Sequence, residues 1–217
     1  MGYDEETHLQ AVMDMASFPS GELHLSPALM DQLLVTEHNN PEAQPGNSAE
    51  MSLLDAYLNA NADYKAGERT PEFTTLKNRM PAYAAMAFAV KAGKFLSLPW
   101  SRILLLARAA NLLQYALIMS FAVWLAPFGK RLLALIGLFP QNLFLACTVS
   151  YDPFVTACLA AGTAAALRLM TKEGKAGFAE LSLPLFLLCL GCLPKAVYAP
   201  LVLLGLAVPE ERFRGKG

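Results

Sequence analysis

Five apolar blocks separated by short polar gaps dominate the second half of the chain. They lie at 103–126, 132–149, 154–170, 178–193 and 196–208. A helix needs roughly 17–25 apolar residues to cross a bilayer, so the first three blocks are long enough to span and the last two are short. The pattern therefore predicts an all-α, multi-spanning helical membrane protein. The last two blocks are expected to form either two crossings or one re-entrant hairpin.

Basic residues fall in alternate gaps between these blocks, and this predicts how the chain is oriented. Cytoplasmic loops of membrane proteins collect Lys and Arg. The gaps after the first, third and fifth blocks carry them, with Lys130, Arg131, Arg168, Lys172, Lys175, Arg212, Arg214 and Lys216. With those gaps in the cytoplasm, Asp152 and Lys195 lie on the outer side. This orientation gives five crossings if each block spans, and it also fits a re-entrant hairpin at 178–208, whose two ends would both lie in the cytoplasm.

The segment before the blocks differs from them in charge as well as in hydropathy. Residues 1–79 carry 13 acidic and 4 basic side chains, whereas 80–217 carry 5 acidic and 13 basic ones. Clusters of Pro, Gly and Asn mark loops in the acidic part, and short helices are predicted at 3–16, 26–36 and 49–62. This acidic N-terminal region is therefore expected to be mainly helical and loop-like, on the outer side of the membrane.

These differences define four predicted regions of the chain. The first extracytoplasmic loop region is followed by an interfacial amphipathic helix, which carries two lysines that argue against a crossing. A membrane domain of about five helical segments and a cytoplasmic basic tail complete the chain. The boundaries are 1–79, 80–99, 100–209 and 210–217, in that order.

The first predicted helix carries polar side chains on one face. Asp4, Glu5 and His8 lie within about one turn of each other and share that face. Two carboxylates with an imidazole can bind a divalent cation or act as acid and base, whereas acids in a first turn also serve simply as caps. Both interpretations stay open. The helix itself is predicted from the apolar spacing of Leu9, Val12, Met13 and Ala16.

Ionisable residues also occur near the predicted outer ends of the membrane helices. Arg108 lies inside the first apolar block, where a charge is costly and marks either a functional cavity or a side chain that extends to the headgroups. Asp152 precedes Pro153 at a helix start and is either an N-cap or part of an outer site. Lys195 is the matching cation on the same side. The complete candidate site on the outer face is Asp4, Glu5, His8, Arg108, Asp152 and Lys195.

The order of these stretches resembles a known family. Asp4-Glu5-Glu-Thr-His8 is similar to its acidic Asp-Glu-x-x-His motif of the first outer loop, and Val149-Ser150-Tyr-Asp152 to its Ser-x-Asp turn. The family comprises bacterial multi-spanning membrane proteins known as domain of unknown function 2142, itself similar to the C-type, polyprenyl-phosphate-sugar-dependent glycosyltransferases. Further similar stretches are 102–113, Lys195-Ala-Val-Tyr198-Ala-Pro200 and 209–213.

The resemblance implies an inverting glycosyltransferase in the bacterial cytoplasmic (inner) membrane. Such an enzyme would transfer a sugar from a polyprenyl-phosphate carrier to a cell-surface glycan on the outer face. A carboxylate would take the proton of the acceptor hydroxyl, while cations or a bound Mg²⁺ or Mn²⁺ would offset the charge on the leaving phosphate. By their positions in the similar motifs, the catalytic residues would be Asp4, as the base, with Glu5 and Asp152. The substrate-binding residues would be His8, Arg108 and Lys195. The metal ligands would be Asp4, Glu5 and His8.

The same resemblance sets the expected partners and leaves alternatives. The lipid bilayer and a polyprenyl-phosphate-linked sugar are the expected partners, and the sequence carries no basic patch suited to nucleic acid. Family members begin with a spanning helix before the acidic motif and continue with further ones, so additional membrane helices or a partner subunit are expected. The alternative functions are a non-catalytic membrane subunit for transport or assembly of surface polysaccharide, and a truncated, inactive gene product.

Overall fold

The computed structural model describes residues 5–16 and 80–209, and every regular element in these ranges is helical. The described ranges contain no strand, which confirms the all-α prediction for them. The helices predicted at 26–36 and 49–62 and the tail at 210–217 lie outside the described residues. The elements are α1 (Glu5–Ala16), α2 (Met80–Phe95), α3 (Trp100–Leu125), α4 (Lys130–Gly137), α5 (Pro140–Ala146), α6 (Asp152–Thr171), α7 (Phe178–Cys192) and a 3₁₀ helix (Ala196–Ala207).

The chain folds into two compact units. Unit 1 comprises Met1–Leu112 and Leu145–Ser150, and unit 2 comprises Leu113–Phe144 and Tyr151–Gly217. Helix α3 therefore supplies its first half to unit 1 and its second half to unit 2. Each site described below lies within a single unit.

In unit 1 the apolar face of α1 packs against α2. Leu9 and Val12 of α1 are buried, as the predicted helical period requires. Helix α2 buries a stripe of its own at Tyr83, Met86 and Val90, which are spaced as neighbours on one helix face. This packing fixes the position of the first turn of α1, where the acidic motif lies.

Helix α2 and the start of α3 approach each other closely. A Cβ at Gly93 would lie 2.8 Å from Ile103 Cγ1, so only glycine fits there without a shift. The turn between the helices passes through Ser97, whose φ of 53° lies in the left-handed region. Lys91 of α2 is exposed. The position of this helix at a membrane surface stays a prediction.

Unit 2 contains a close packing of α6 against α7. A Cβ at Gly162 would lie 2.7 Å from Leu188 Cγ and 3.0 Å from the backbone nitrogen of Leu188. A Cβ at Gly191 would meet Leu159 in the same way, at 3.0 Å. Small residues at such crossings let two backbones come together, which is how apolar helices associate by van der Waals packing. The 3₁₀ helix packs against both α6 and α7.

Two of the described helices are long and apolar enough to cross a membrane, Arg102–Leu125 within α3 and the whole of α6. The 15 residues of α7 extend only about 22 Å at about 1.5 Å per residue, and the hydrocarbon core is roughly 30 Å thick. The 12 residues of the 3₁₀ helix extend about 24 Å. These two elements match the blocks that the sequence marks as short.

The second apolar block, 132–149, does not form the single spanning helix that its composition predicts. It is divided between α4, of 8 residues, and α5, of 7 residues. Pro140 disfavours helical backbone at the residue before it, so the helix ends ahead of that proline. The carbonyls freed at the break find other donors, since Asn142 Nδ2 donates to Ile136 O at 2.8 Å and Tyr115 Oη to Gly137 O at 2.7 Å. The expectation of one continuous helix here is wrong.

The close approach of α6 and α7 generates a test of unit 2. Gly162→Ala is expected to lower stability by about 1–3 kcal/mol, because the added methyl group meets the Leu188 side chain and backbone and overpacks the contact. The matched control is Gly205→Ala, since nothing lies within 4 Å of a Cβ at Gly205. The measurement is the thermal unfolding midpoint of the purified protein in detergent. Equal midpoints for the two variants would contradict this packing.

Candidate functional site

A buried carboxylate organises the polar part of unit 1. Glu5, the first residue of α1, has 0% of its surface exposed. Arg108 donates from Nε to Glu5 Oε1 at 2.8 Å and from Nη2 to Oε2 at 2.7 Å. The backbone N–H of Val149 also donates to Oε1, at 2.8 Å. These charge-assisted bonds neutralise the carboxylate and tie α1 to α3 and to the turn at 148–150.

Asn111 of α3 holds the same turn from another direction. Its Nδ2 donates to the carbonyl of Thr148 at 2.8 Å and to that of Ser150 at 3.1 Å. Asn111 is 1% exposed, and its Oδ1 has no hydrogen-bond partner among the described residues. A buried oxygen without a donor is costly, so this position suits a water molecule or a ligand hydroxyl.

His8 lies about one turn beyond Glu5 on α1 and pairs with α2. Its Nδ1 lies 2.5 Å from the hydroxyl of Tyr83, and the two rings are tilted with centroids 5.9 Å apart. The tautomer of the imidazole decides which of the two groups donates. Tyr83 is buried and His8 is partly exposed, so the pair forms a polar edge on the contact between α1 and α2.

The described residues of the predicted metal set do not fit a divalent cation. Both oxygens of Glu5 accept hydrogen bonds from Arg108, and a guanidinium at that distance repels a metal ion. Within the ranges that the structure describes, no group of three or more His, Cys, Asp or Glu side chains could hold a metal. Asp4 lies outside the described residues. A metal site that includes Asp4 therefore stays a prediction.

A second pair of candidate residues lies in unit 2. Lys195 Nζ lies 2.7 Å from Asp152 Oδ1, and these side chains are 35% and 31% exposed respectively. The ammonium also lies 5.4 Å from the centroid of the Tyr151 ring, a cation–π distance. Burial lowers the pKa of Lys195, but the hydrogen bond and the charge of Asp152 outweigh it, so the pKa lies above its usual value. Lys195 is therefore an ammonium at neutral pH.

The predicted site residues that the structure describes thus fall into two groups, one in each unit; Asp4 lies outside the described residues. Unit 1 joins Glu5 to Arg108, and unit 2 joins Asp152 to Lys195. His8 pairs with Tyr83 in unit 1. The catalytic and binding roles expected of these residues stay predictions.

Three residues that make polar contacts in unit 1 are not among the candidate site residues predicted from the sequence. Asn111 could have been identified from the sequence, because it is a polar residue inside an apolar block. It also follows Arg108 by three residues and so lies on the same helix face. Tyr83 gives little signal, because a tyrosine in an amphipathic helix is ordinarily part of the core. The donor at Val149 gives none, because it is a backbone group.

The described helices are those of an all-α protein with two apolar helices of membrane-spanning length. A family model described as "Predicted membrane protein (DUF2142)" matches residues 1–217, the whole chain. The protein belongs to this family, and it is a predicted membrane protein of unknown function. No curated protein and no solved structure matches the chain.

The buried pair of unit 1 generates a stability prediction. Arg108→Ala is expected to destabilise the protein by about 3–5 kcal/mol, because it leaves the Glu5 carboxylate buried without its counter-ion. The matched control is Arg102→Ala, which removes an exposed arginine from the same helix and should change stability by no more than about 0.5 kcal/mol. Both are measured as thermal unfolding midpoints in detergent.

A double variant separates the ion pair from the arginine's own packing. Replacing Glu5 and Arg108 together with methionine removes both charges and should recover much of the stability that Arg108→Ala loses. Equal midpoints for Arg108→Ala and Arg102→Ala would show that Glu5 does not depend on Arg108.

Proposed function

We propose that the protein is a multi-pass protein of the bacterial cytoplasmic membrane that transfers a sugar from a polyprenyl-phosphate carrier to a cell-surface glycan on the outer face. The observation that carries the proposal is the pair of Asp152 and Lys195. A carboxylate and an ammonium lie side by side at the start of a long apolar helix, each about a third exposed. A base and a phosphate-binding cation are the two groups that this transfer needs from the protein.

The chemistry follows from the two groups. The Asp152 carboxylate accepts the proton of the acceptor hydroxyl, and the acceptor oxygen forms a bond to the anomeric carbon of the donor sugar. The bond from that carbon to the phosphate oxygen breaks, and the polyprenyl phosphate leaves with the electron pair. Lys195 offsets the charge on the departing phosphate. A single displacement of this kind inverts the anomeric centre.

The ion pair also offers a way to couple binding to activation. Lys195 Nζ lies at hydrogen-bond distance from Asp152 Oδ1. A phosphate that contacts the ammonium competes with the carboxylate for the same N–H groups, which loosens the pair. Binding of the lipid-linked sugar would therefore release Asp152 to act as a base.

The positive charges of unit 2 support an outer position for the pair. Helix α6 begins at Asp152, and the basic residues Arg168 and Lys172 lie at its other end. Lys130 and Arg131 begin α4 after the end of α3. Under the positive-inside rule these basic ends face the cytoplasm, which leaves Asp152 at the outer surface.

A non-catalytic role in transport or assembly of surface polysaccharide is the second candidate, and the bonding of Glu5 favours it. This carboxylate has no exposed surface and accepts three hydrogen bonds from Arg108 and Val149. In this reading the acidic motif serves the fold of unit 1. The role of Asp4 as a general base stays a prediction.

The enzymatic proposal is tested by removing the carboxylate at nearly constant size. Asp152→Asn in the complete protein, expressed in a bacterium that depends on it for its surface glycan, is expected to reduce glycan transfer by about 10²–10⁴-fold, the usual contribution of a general base. Lys195→Gln should reduce it as well. The matched control is Glu173→Gln, which removes an exposed acid from the opposite end of α6. If Asp152→Asn leaves the amount of surface glycan unchanged at a normal protein level, the enzyme proposal is wrong and the non-catalytic role is favoured.

The outer position of Asp152 has its own test. Single cysteines replace Asp4, Asp152 or Glu173 in a background that lacks the 4 native cysteines, and intact cells are treated with a membrane-impermeant thiol reagent. We expect labelling at positions 4 and 152 and none at 173, because the latter lies among the basic residues of a cytoplasmic gap. Labelling at 173 but not at 152 would reverse the orientation and remove Asp152 from the outer face.

A further inference from the structure

A cleft of unit 2 lies at the end of α6 remote from Asp152. It has a volume of about 180 Å³ and is lined by the C-terminal part of α3, the end of α6 and the start of α7. Apolar and charged side chains share its lining, among them Phe121, Trp124, Leu183, Arg168, Lys172 and Glu180. None of these residues belongs to the proposed outer-face site.

Arg168 offers this cleft a set of free hydrogen-bond donors. Its guanidinium carbon lies 5.2 Å from the centroid of the Trp124 ring, and its N–H groups make no hydrogen bond to the described residues. That distance is typical of a cation–π contact, and it leaves these N–H groups available to a ligand. The planar guanidinium fork is well suited to the oxygens of a phosphate.

The other charges of the cleft neutralise each other. Lys172 Nζ donates to both carboxylate oxygens of Glu180, at 2.6 Å and 2.7 Å. Because this pair carries no net charge, the lining has a single net positive charge, which is that of Arg168. A phosphodiester carries the complementary single negative charge.

The aromatic side chains of the lining favour a lipid phosphate over a soluble phosphate as the ligand. Trp124 is 61% exposed and Phe121 37% exposed, and their rings stack with centroids 5.7 Å apart. A tryptophan at the end of an apolar helix typically lies at the headgroup level, where its ring contacts the upper part of the acyl chains. A basic pocket between membrane helices on the cytoplasmic side is suited to an anionic headgroup. With the orientation predicted from the basic residues, the cleft combines these two features.

We propose that this cleft binds the phosphate headgroup of an anionic phospholipid from the cytoplasmic leaflet. Arg168 contacts the phosphate, and Trp124 and Phe121 contact the glycerol end of the acyl chains. The proposal is independent of glycosyl transfer, because it uses neither Asp152 nor Lys195.

Quenching of Trp124 by brominated lipid tests the proposal. The chain has 2 tryptophans, so Trp100→Phe leaves Trp124 as the reporter. The complete protein is reconstituted in phosphatidylcholine vesicles that contain a small fraction of dibrominated phosphatidylglycerol or, separately, dibrominated phosphatidylcholine. We expect the anionic lipid to be enriched about fivefold at Trp124, the usual effect of one interfacial basic residue. Arg168→Gln should reduce this ratio to about one.

The matched control is Arg131→Gln, which removes an exposed cation of unit 2 that does not line the cleft. It should keep the enrichment. Arg168→Lys retains the charge without the planar fork, and an intermediate ratio is expected. A ratio near one with Arg168 present, or an equal loss in Arg131→Gln, would overturn the proposal. Loss of the enrichment on adding millimolar inorganic phosphate at constant ionic strength would identify a free-anion site and overturn the lipid assignment.

Discussion

A carboxylate without exposed surface has to be neutralised inside the protein, and in unit 1 this constraint falls on Glu5. An isolated buried charge would cost several kcal/mol, so the fold brings donors from two distant parts of the chain to it. Arg108 supplies two of them and the backbone of Val149 a third. These bonds hold the first turn of α1 in place and leave the Glu5 carboxylate no exposed surface. The catalytic role expected of Glu5 stays a prediction.

Features of the structure that depend on neighbouring residues can be predicted from the sequence, whereas features that depend on contacts between distant parts of the chain cannot. The spacing of the apolar residues predicts α1, and the alternation of basic gaps assigns Asp152 and Lys195 to one side. Nothing local shows that Glu5 has no exposed surface, since the groups that bind it lie 103 and 144 residues away along the chain. The break before Pro140 is missed for a different reason. The apolar composition of 132–149 favours a membrane helix so strongly that one proline does not offset it.

The two ends of α6 carry similar chemical groups in different arrangements. At its start, Lys195 lies between a carboxylate and the Tyr151 ring. At its end, another ammonium–carboxylate pair accompanies a guanidinium that lies over an indole. The cation of the first arrangement is bonded to its acid, whereas the guanidinium of the second donates no hydrogen bond to the described residues. The first is therefore suited to a reaction in which a proton leaves a hydroxyl, and the second to holding a permanent anion.

The distance along the chain between the partners of Glu5 has a consequence for biosynthesis. The N–H of Val149 lies 144 residues beyond the carboxylate that it binds. At about 5–20 residues per second, a ribosome needs roughly 7–30 s to make that stretch. The bond between Glu5 and Val149 can therefore form only after the intervening apolar helices have been synthesised.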